Sequence, residues 1–156
     1  MLSYRNLAES DCEFILQNWV GHSVIFRGNM SHDELLAKLK EMATKQYNGN
    51  YHEWFVLLND GIPVGTFNLY QPNPNENAVY FGIEIDKDNR RKGFGTKAVQ
   101  MAFEIAKEKG YEKITSQATV SNIPSVKLHA KCGFQIVERV INSKGNESYN
   151  YVYKLS

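Results

Sequence analysis

The stretch Arg90-Arg91-Lys92-Gly93-Phe94-Gly95-Thr96 joins a predicted strand to a predicted helix and decides the fold of this chain. The strand is Tyr80-Phe81-Gly82-Ile83-Glu84-Ile85, and the helix-forming run begins at Lys97. A strand, a basic glycine turn and a helix in this order direct unpaired backbone N–H groups and the positive end of the helix at one point. Glycine suits that point because a Cβ would hold an anion away from the amides. The sequence therefore predicts a site for a phosphate or pyrophosphate group.

The rest of the chain predicts a mixed fold around this unit. Two alternating runs, residues 54–58 and 62–70, flank Asn59-Asp60-Gly61, which favours a hairpin turn. Ser31 followed by Glu34 resembles a helix-capping box. We expect an α/β fold (α+β type) with the order β-αα-βββ-α-β-α-ββ. About four helices would flank a mixed, largely antiparallel sheet of six to seven strands.

Composition narrows the class of protein. With 156 residues, 42% of them hydrophobic and 22% charged, the chain is expected to form one globular domain over residues 1–156. A net charge of +1 argues against a nucleic-acid partner, which normally requires a basic excess.

No apolar run approaches the roughly 18 residues that a membrane span needs, and the start lacks an apolar signal region. We expect a cytoplasmic protein with no membrane partner, and no metal site because Cys12 and Cys132 lie far apart.

The glycine turn is open to three interpretations. The first is a solvated basic turn that binds nothing. The second is a dinucleotide-binding fingerprint, because residues 93–98 fit the pattern G-x-G-x-x-A. The context argues against it, since a hairpin precedes the turn and the next predicted strand ends at Val120-Ser121 without a carboxylate. The spacing of a P-loop is absent as well.

The third interpretation uses two further motifs. Arg90-x-x-Gly93-x-Gly95 is followed by Asn122-Ile123-Pro124-Ser125 and then by Lys131-Cys132-Gly133-Phe134. Together the three motifs resemble the GNAT superfamily of acetyl-CoA-dependent N-acetyltransferases. The RimJ/RimL-like (ribosomal-protein-alanine acetyltransferase-like) branch is the most similar, because Arg5-x-Leu7 and residues 11–19 also resemble it.

The resemblance implies an activity and its partners. An acetyl group would pass from acetyl-CoA, as co-substrate, to a primary amine by direct attack in a ternary complex. The acceptor would be a small metabolite, an amino sugar or a protein N-terminus, and the protein a monomer or homodimer. Two alternatives stay open: a non-catalytic acyl-CoA-binding module, and an acyltransferase with a different acyl donor.

The resemblance also implies which residues hold the cofactor. Amides 91–96 would bind the pyrophosphate, and the adjacent cations complement its charge. Residues 83–85 would splay from the strand at 116–119, so that the pantetheine arm pairs with exposed strand amides. Asn122 and Ser125 match family positions, with helix capping as the alternative. The implied cofactor-binding residues are Ile83, Glu84, Ile85, Arg90, Arg91, Lys92, Gly93, Phe94, Gly95, Thr96, Asn122 and Ser125.

Two candidate catalytic residues follow, Glu84 and His129. Glu84 is the only carboxylate on the strand at the proposed splay and would act as general base, directly or through water; an outward or ion-paired position is the alternative. His129 stands where many relatives have a proton-donating tyrosine, and its alternative is a histidine on the helix surface. Gln117 replaces the glutamate base of some relatives. Trp19, His22 and Phe26 lie in or beside the loop where relatives admit the acceptor.

Overall fold

The computed structural model describes residues 1–23, 25–47 and 49–155. The strands are β1 (Leu2–Asn6), β2 (Gln46–Tyr47), β3 (Asn50–Asn59), β4 (Ile62–Tyr70), β5 (Ala78–Ile85), β6 (Lys113–Thr119), β7 (Gln135–Ile141) and β8 (Glu147–Lys154). The helices are α1 (Cys12–Asn18), α2 (His32–Ala43), α3 (Phe94–Glu108) and α4 (Ile123–Lys131).

These residues form one eight-stranded sheet with the strand order β1-β3-β4-β5-β6-β8-β7, in which β2 pairs with β3. Among the described strands, β5 and β6 run parallel and the other neighbours run antiparallel. The predicted order of elements is confirmed, with the two-residue β2 as an addition that the sequence did not predict. α3 also begins at Phe94, so residues 94–96 form its first turn, whereas the sequence analysis began the helix at Lys97.

Local sequence explains several element boundaries. In the β3–β4 turn, Asp60 and Gly61 have φ angles of 51° and 82°, the left-handed values that a two-residue hairpin with a right-handed twist requires. The Ser31 hydroxyl accepts a hydrogen bond from the Glu34 N–H at 3.2 Å and so begins α2, as predicted. These turns depend on neighbouring residues alone, which is why the sequence reveals them.

Helices cover both faces of the sheet. Along β3, Val56 packs with the buried side chains of α1 and α2, whereas Phe55 and Leu57 pack in the core that contains α3. This division follows from the alternation of side chains along a strand. The sheet therefore separates two apolar layers, and a site between its strands can be reached from either layer.

None of the helices in the described part of the chain is long and apolar enough to cross a membrane.

Candidate active site

Two neighbouring strands part in the middle of the sheet. The parallel pairing of β5 with β6 runs from Ala78↔Lys113 to Tyr80↔Thr115. Beyond that point β5 continues along β4 to Ile85, and β6 continues along β8 to Thr119. The predicted splay is thus present, between residues 81–85 and 116–119. Its two inner edges carry backbone N–H and C=O groups that can pair with an extended ligand.

Two glycines let β5 lie close to β4 on one side of this gap. A Cβ on Gly65 would lie 2.4 Å from the carbonyl oxygen of Glu84, and a Cβ on Gly82 would lie 2.5 Å from Oδ1 of Asn68. The contact at Gly65 is with the backbone, so a side chain there would push β5 away from β4. The contact at Gly82 is with the end of the Asn68 side chain, which can move aside. Neither glycine was a predicted site residue, although glycine inside a strand pattern signals a close approach.

Side chains link β5 and β6 where their pairing ends. On the face that carries α3 and α4, the Ser116 hydroxyl lies 3.0 Å from the carbonyl oxygen of Phe81. On the other face, the Tyr80 hydroxyl accepts a hydrogen bond from the Gln117 backbone N–H, and burial raises the pKa of Tyr80 to about 12. The closed end of the gap is therefore fixed on both faces of the sheet.

His129 reaches this closed end from α4. Its side chain is 3% exposed and stacks on Tyr151, with ring centroids 4.2 Å apart. Nδ1 lies 2.7 Å from the Ser125 carbonyl oxygen, and Nε2 lies 2.9 Å from the Ser116 hydroxyl. The alternative of a histidine on the helix surface is therefore wrong. The sequence could not show this because Ser116 approaches His129 only in the folded sheet.

The glycine turn has the geometry of an anion cradle. Arg91 and Gly93 have φ angles of 64° and 79°, and Gly93 caps α3. The first helical hydrogen bond runs from the Lys97 N–H to the Gly93 carbonyl oxygen at 3.4 Å, so the N–H groups of residues 93–96 precede it. A Cβ on Gly93 would meet nothing within 4 Å. The space beside Gly93 is therefore open, which leaves room for an anion at the start of α3.

Gly95 has a packing role in addition to the ligand approach that the sequence suggested. A Cβ at this position would lie 3.2 Å from Cδ2 of Leu128, a residue of α4. Gly95 therefore lets the start of α3 pack closely on α4, whereas the sequence analysis assigned the glycine to ligand approach.

The predicted cations divide into two groups. Nε of Arg90 donates a hydrogen bond to the Ile85 carbonyl oxygen at 3.1 Å, which ties the turn to the end of β5. Arg91 and Lys92 are exposed beside the cradle, and Nζ of Lys92 lies 3.4 Å from Oδ1 of Asn89.

Asn122 caps α4, because its side chain accepts a hydrogen bond from the Ser125 N–H at 3.4 Å. The helix-capping role that was the alternative for Asn122 is therefore present.

Glu84 lies on the face opposite α3. Ile83 and Ile85 pack against the α3 core, whereas Glu84 lines a small pocket next to the loop after α1. Its volume is about 10 Å³, room for about one water molecule. Three predicted acceptor-side residues line the same pocket together with Asp86 and Arg90: Trp19, His22 and Phe26. Trp19 and Phe26 form its aromatic wall, with ring centroids 6.3 Å apart. The pocket thus brings two carboxylates, two aromatic rings and the cations Lys87 and Arg90 together beside the end of β5.

Comparison with known proteins identifies a family. The profile of the Acetyltransferase (GNAT) family matches residues 23–134, which is more than half of the chain. A 60-residue segment is 33% identical to the aminoglycoside N(6')-acetyltransferase type 1 of Serratia marcescens. That segment covers 38% of this chain and only 41% of the relative.

Solved structures share the fold. Spermidine N-acetyltransferase from Vibrio cholerae, in complex with CoA and spermine, is similar with a TM-score of 0.80 and 21% identity, over 99% of this chain and 95% of the other. An N-acetyltransferase from Staphylococcus aureus Mu50 has a TM-score of 0.77 and 23% identity, over 100% and 99% of the two chains. The predicted fold class is therefore confirmed.

Burial of His129 predicts how stability depends on pH. Burial lowers the pKa of His129, although the hydrogen bond to the Ser125 carbonyl opposes the shift, and burial lowers the pKa of His52 as well. The unfolded chain then binds more protons than the folded chain once the pH falls below about 6.5. We therefore expect the two neutral histidines to make their whole contribution to the free energy of unfolding above that pH. That free energy is expected to fall as the pH drops through the folded pKa values.

Urea denaturation at several pH values measures this effect. His129→Phe removes one of the two groups, so its stability is expected to change less between neutral and mildly acidic pH than that of the wild-type chain. An equally steep loss in the variant would contradict a neutral, buried His129.

Proposed function

Because the chain belongs to the Acetyltransferase (GNAT) family, we propose that it is an acetyl-CoA-dependent N-acetyltransferase that acts on a primary amine. One observation carries the proposal: β5, which lines the gap, ends at Ile85, and Arg90 ties the turn with the amide cradle to the Ile85 carbonyl oxygen. An extended chain that ends in a diphosphate, as coenzyme A does, matches a strand-like slot followed by an anion cradle.

The chemical groups of the cradle and of the gap suit coenzyme A. The space beside Gly93 is open, and the N–H groups of residues 93–96 precede the first helical hydrogen bond. Arg91 and Lys92 are exposed in the same turn, so a diphosphate there would gain both hydrogen bonds and opposite charge. Residues 81–85 offer backbone groups along the gap to the amides of pantetheine. Arg90 contributes by holding the turn against the end of β5.

When bound, acetyl-CoA would supply the acetyl group as a thioester: the amine nitrogen forms the new C–N bond, the C–S bond breaks, and coenzyme A leaves as a thiolate that takes up the proton lost by the acylated nitrogen. An amine attacks only after losing its proton, because an ammonium has no lone pair. Glu84 is placed to take that proton, directly or through water, since it lines the pocket beside the gap. A backbone N–H of β5 that faces the gap would polarise the thioester carbonyl without any particular side chain.

The pocket around Glu84 is the proposed entry for the amine. Glu84 and Asp86 can accept hydrogen bonds from an amine, and the Trp19 and Phe26 rings provide an apolar wall. Lys87 and Arg90 line the same pocket and balance the charge of the two carboxylates. The names of two similar proteins, which act on an aminoglycoside and on spermidine, support a small amine. An amino sugar, another small metabolite and a protein N-terminus are the acceptors to compare.

The finer parts of the assignment stay predictions from the sequence. They are membership of the RimJ/RimL-like branch, a cytoplasmic location, a single domain over residues 1–156, and a monomeric or dimeric state.

Release of free thiol from acetyl-CoA with a panel of amines tests the activity itself. Tight cofactor binding without turnover on any amine would support the non-catalytic module and contradict the enzyme.

A glycine pair tests the cradle. Gly93 and Gly145 have φ angles of 79° and 80°, and a Cβ on either would meet nothing within 4 Å. Alanine at either position therefore costs a similar amount of stability, about 1–2 kcal/mol. Gly93 caps α3, whereas Gly145 lies in the turn between β7 and β8, away from that helix. Calorimetry is expected to show an affinity for acetyl-CoA more than about tenfold weaker in Gly93→Ala, and unchanged in Gly145→Ala. Equal affinities in the two variants would contradict the cradle.

A carboxylate variant tests the proposed base. Glu84→Gln keeps the shape of the side chain but cannot take a proton, so kcat is expected to fall by roughly 10²-fold. The loss is expected to be greatest at low pH, where most of the amine is protonated. Asp88→Asn, which changes an exposed carboxylate in the loop after β5, is the control. A loss of equal size at every pH would count against proton transfer by Glu84.

A further inference from the structure

Glu84 also lines a second cavity, which is much larger than the pocket beside Trp19. This cleft has a volume of about 200 Å³, and its lining includes Trp54, Thr66, Asn68 and Gly82. An apolar cavity of about 150 Å³ holds a benzene molecule. The cleft therefore has room for one small ring or a short chain, next to the carboxylate that we propose as the base.

The register of the strands brings the polar side chains of the cleft together. Asn68 on β4 is directly opposite Gly82 on β5, and Thr66 is directly opposite Glu84. Directly opposite residues point to the same face of a sheet, as do residues two apart on one strand. The Asn68 carboxamide and the Glu84 carboxylate are therefore diagonal neighbours on one patch of the sheet. Trp54 on β3 is directly opposite Asn68 and forms the far wall.

Asn68 has hydrogen-bonding groups that the protein itself leaves unused. The residue is 9% exposed, and Oδ1 would lie 2.5 Å from a Cβ on Gly82, so the carboxamide lies over that glycine. In the described part of the chain, no residue forms a hydrogen bond with this carboxamide. A buried polar group without a partner is costly. Its partner must therefore come from the cleft, as water or as a group of a ligand.

The charges around the cleft favour an acceptor with a single amine. Glu84 is the one charged side chain among the described residues that line it. On the other side of Glu84, the small pocket contains Asp86 together with Lys87 and Arg90. These two cations offset the two carboxylates, whereas a polyamine needs a surplus of negative charge for its several ammonium groups. Recognition of the rest of the acceptor therefore falls to neutral groups.

We propose that the acceptor is an amino alcohol, a primary amine with a hydroxyl on one of the next two carbons, and that Asn68 recognises this hydroxyl. The inference rests on the proposed function, because Glu84 has to receive the amine. A hydroxyl both donates and accepts hydrogen bonds, and a carboxamide offers a partner for each. Diagonal neighbours have Cβ atoms about 7–8 Å apart, a separation that the two side chains can span together with an N–C–C–O unit between them.

Two amines that differ by one hydroxyl test the preference. 2-Aminocyclohexanol and cyclohexylamine have the same ring, and their rates are compared per unprotonated amine because the hydroxyl makes the nitrogen less basic. In the wild-type chain, kcat/KM is expected to be at least about tenfold higher for 2-aminocyclohexanol, since cyclohexylamine leaves the Asn68 carboxamide without a partner. Spermidine, a polyamine without a hydroxyl, is expected to be the poorest substrate of the three.

A leucine variant assigns the preference to Asn68. Leucine has nearly the shape of asparagine but no hydrogen-bonding group. Asn68→Leu is therefore expected to lower kcat/KM for 2-aminocyclohexanol by about tenfold and that for cyclohexylamine by less than about twofold. Asn150→Leu makes the same exchange on β8, at a residue outside the cleft lining, and is expected to keep the wild-type preference.

An aspartate variant tests the charge of the cleft in the opposite direction. Asn68→Asp adds a second carboxylate, so the ratio of kcat/KM for spermidine to that for 2-aminocyclohexanol is expected to rise by about threefold or more. A variant that is merely damaged would not gain a substrate in this way. If Asn68→Leu does not fold, this ratio and the wild-type comparison decide the question.

The possible outcomes separate the two proposals. A wild-type chain that releases no thiol from acetyl-CoA with any amine would refute the proposed function. Equal kcat/KM for the two cyclic amines, or turnover of spermidine or a peptide N-terminus alone, would overturn the amino-alcohol inference and leave the enzyme in place. A wild-type preference that persists in Asn68→Leu would overturn the role of Asn68.

Discussion

Backbone hydrogen bonding between β5 and β6 is the constraint on which the rest of the structure depends. The two strands share a parallel ladder up to Tyr80↔Thr115 and then follow different neighbours. A backbone polar group without a partner is costly away from water, so the inner edges of the gap favour a ligand that resembles a strand. The sheet thus provides an elongated binding slot while both strands remain paired along their outer edges.

Packing on both sides keeps this slot in place. Gly65 lets β5 lie against β4, and at the closed end the Ser116 hydroxyl of β6 lies 3.0 Å from the Phe81 carbonyl oxygen. At the open end, Arg90 binds the Ile85 carbonyl and brings the amides at the start of α3 next to the slot. The gap, the turn at Gly93 and the pocket around Glu84 therefore all adjoin the end of β5, where we propose that cofactor and amine meet.

Local chemistry determined what the sequence could predict. The β3–β4 hairpin, the cap at Ser31 and the glycine turn depend on adjacent residues, and all three were predicted from them. The position of His129 was not predictable in this way, because its partner Ser116 lies 13 residues away on β6. The same holds for Gly95, whose neighbour Leu128 belongs to another helix. Burial of a polar residue becomes visible only when the partner that satisfies it is known.

Backbone hydrogen exchange with and without acetyl-CoA tests the central claim most directly, because it reports on the amides themselves. The account predicts slower exchange at the amides of residues 93–96 and at those of residues 81–85 that face the gap, with little change in β1 and β3. Tight binding of acetyl-CoA that leaves exchange in both segments unchanged would contradict the account.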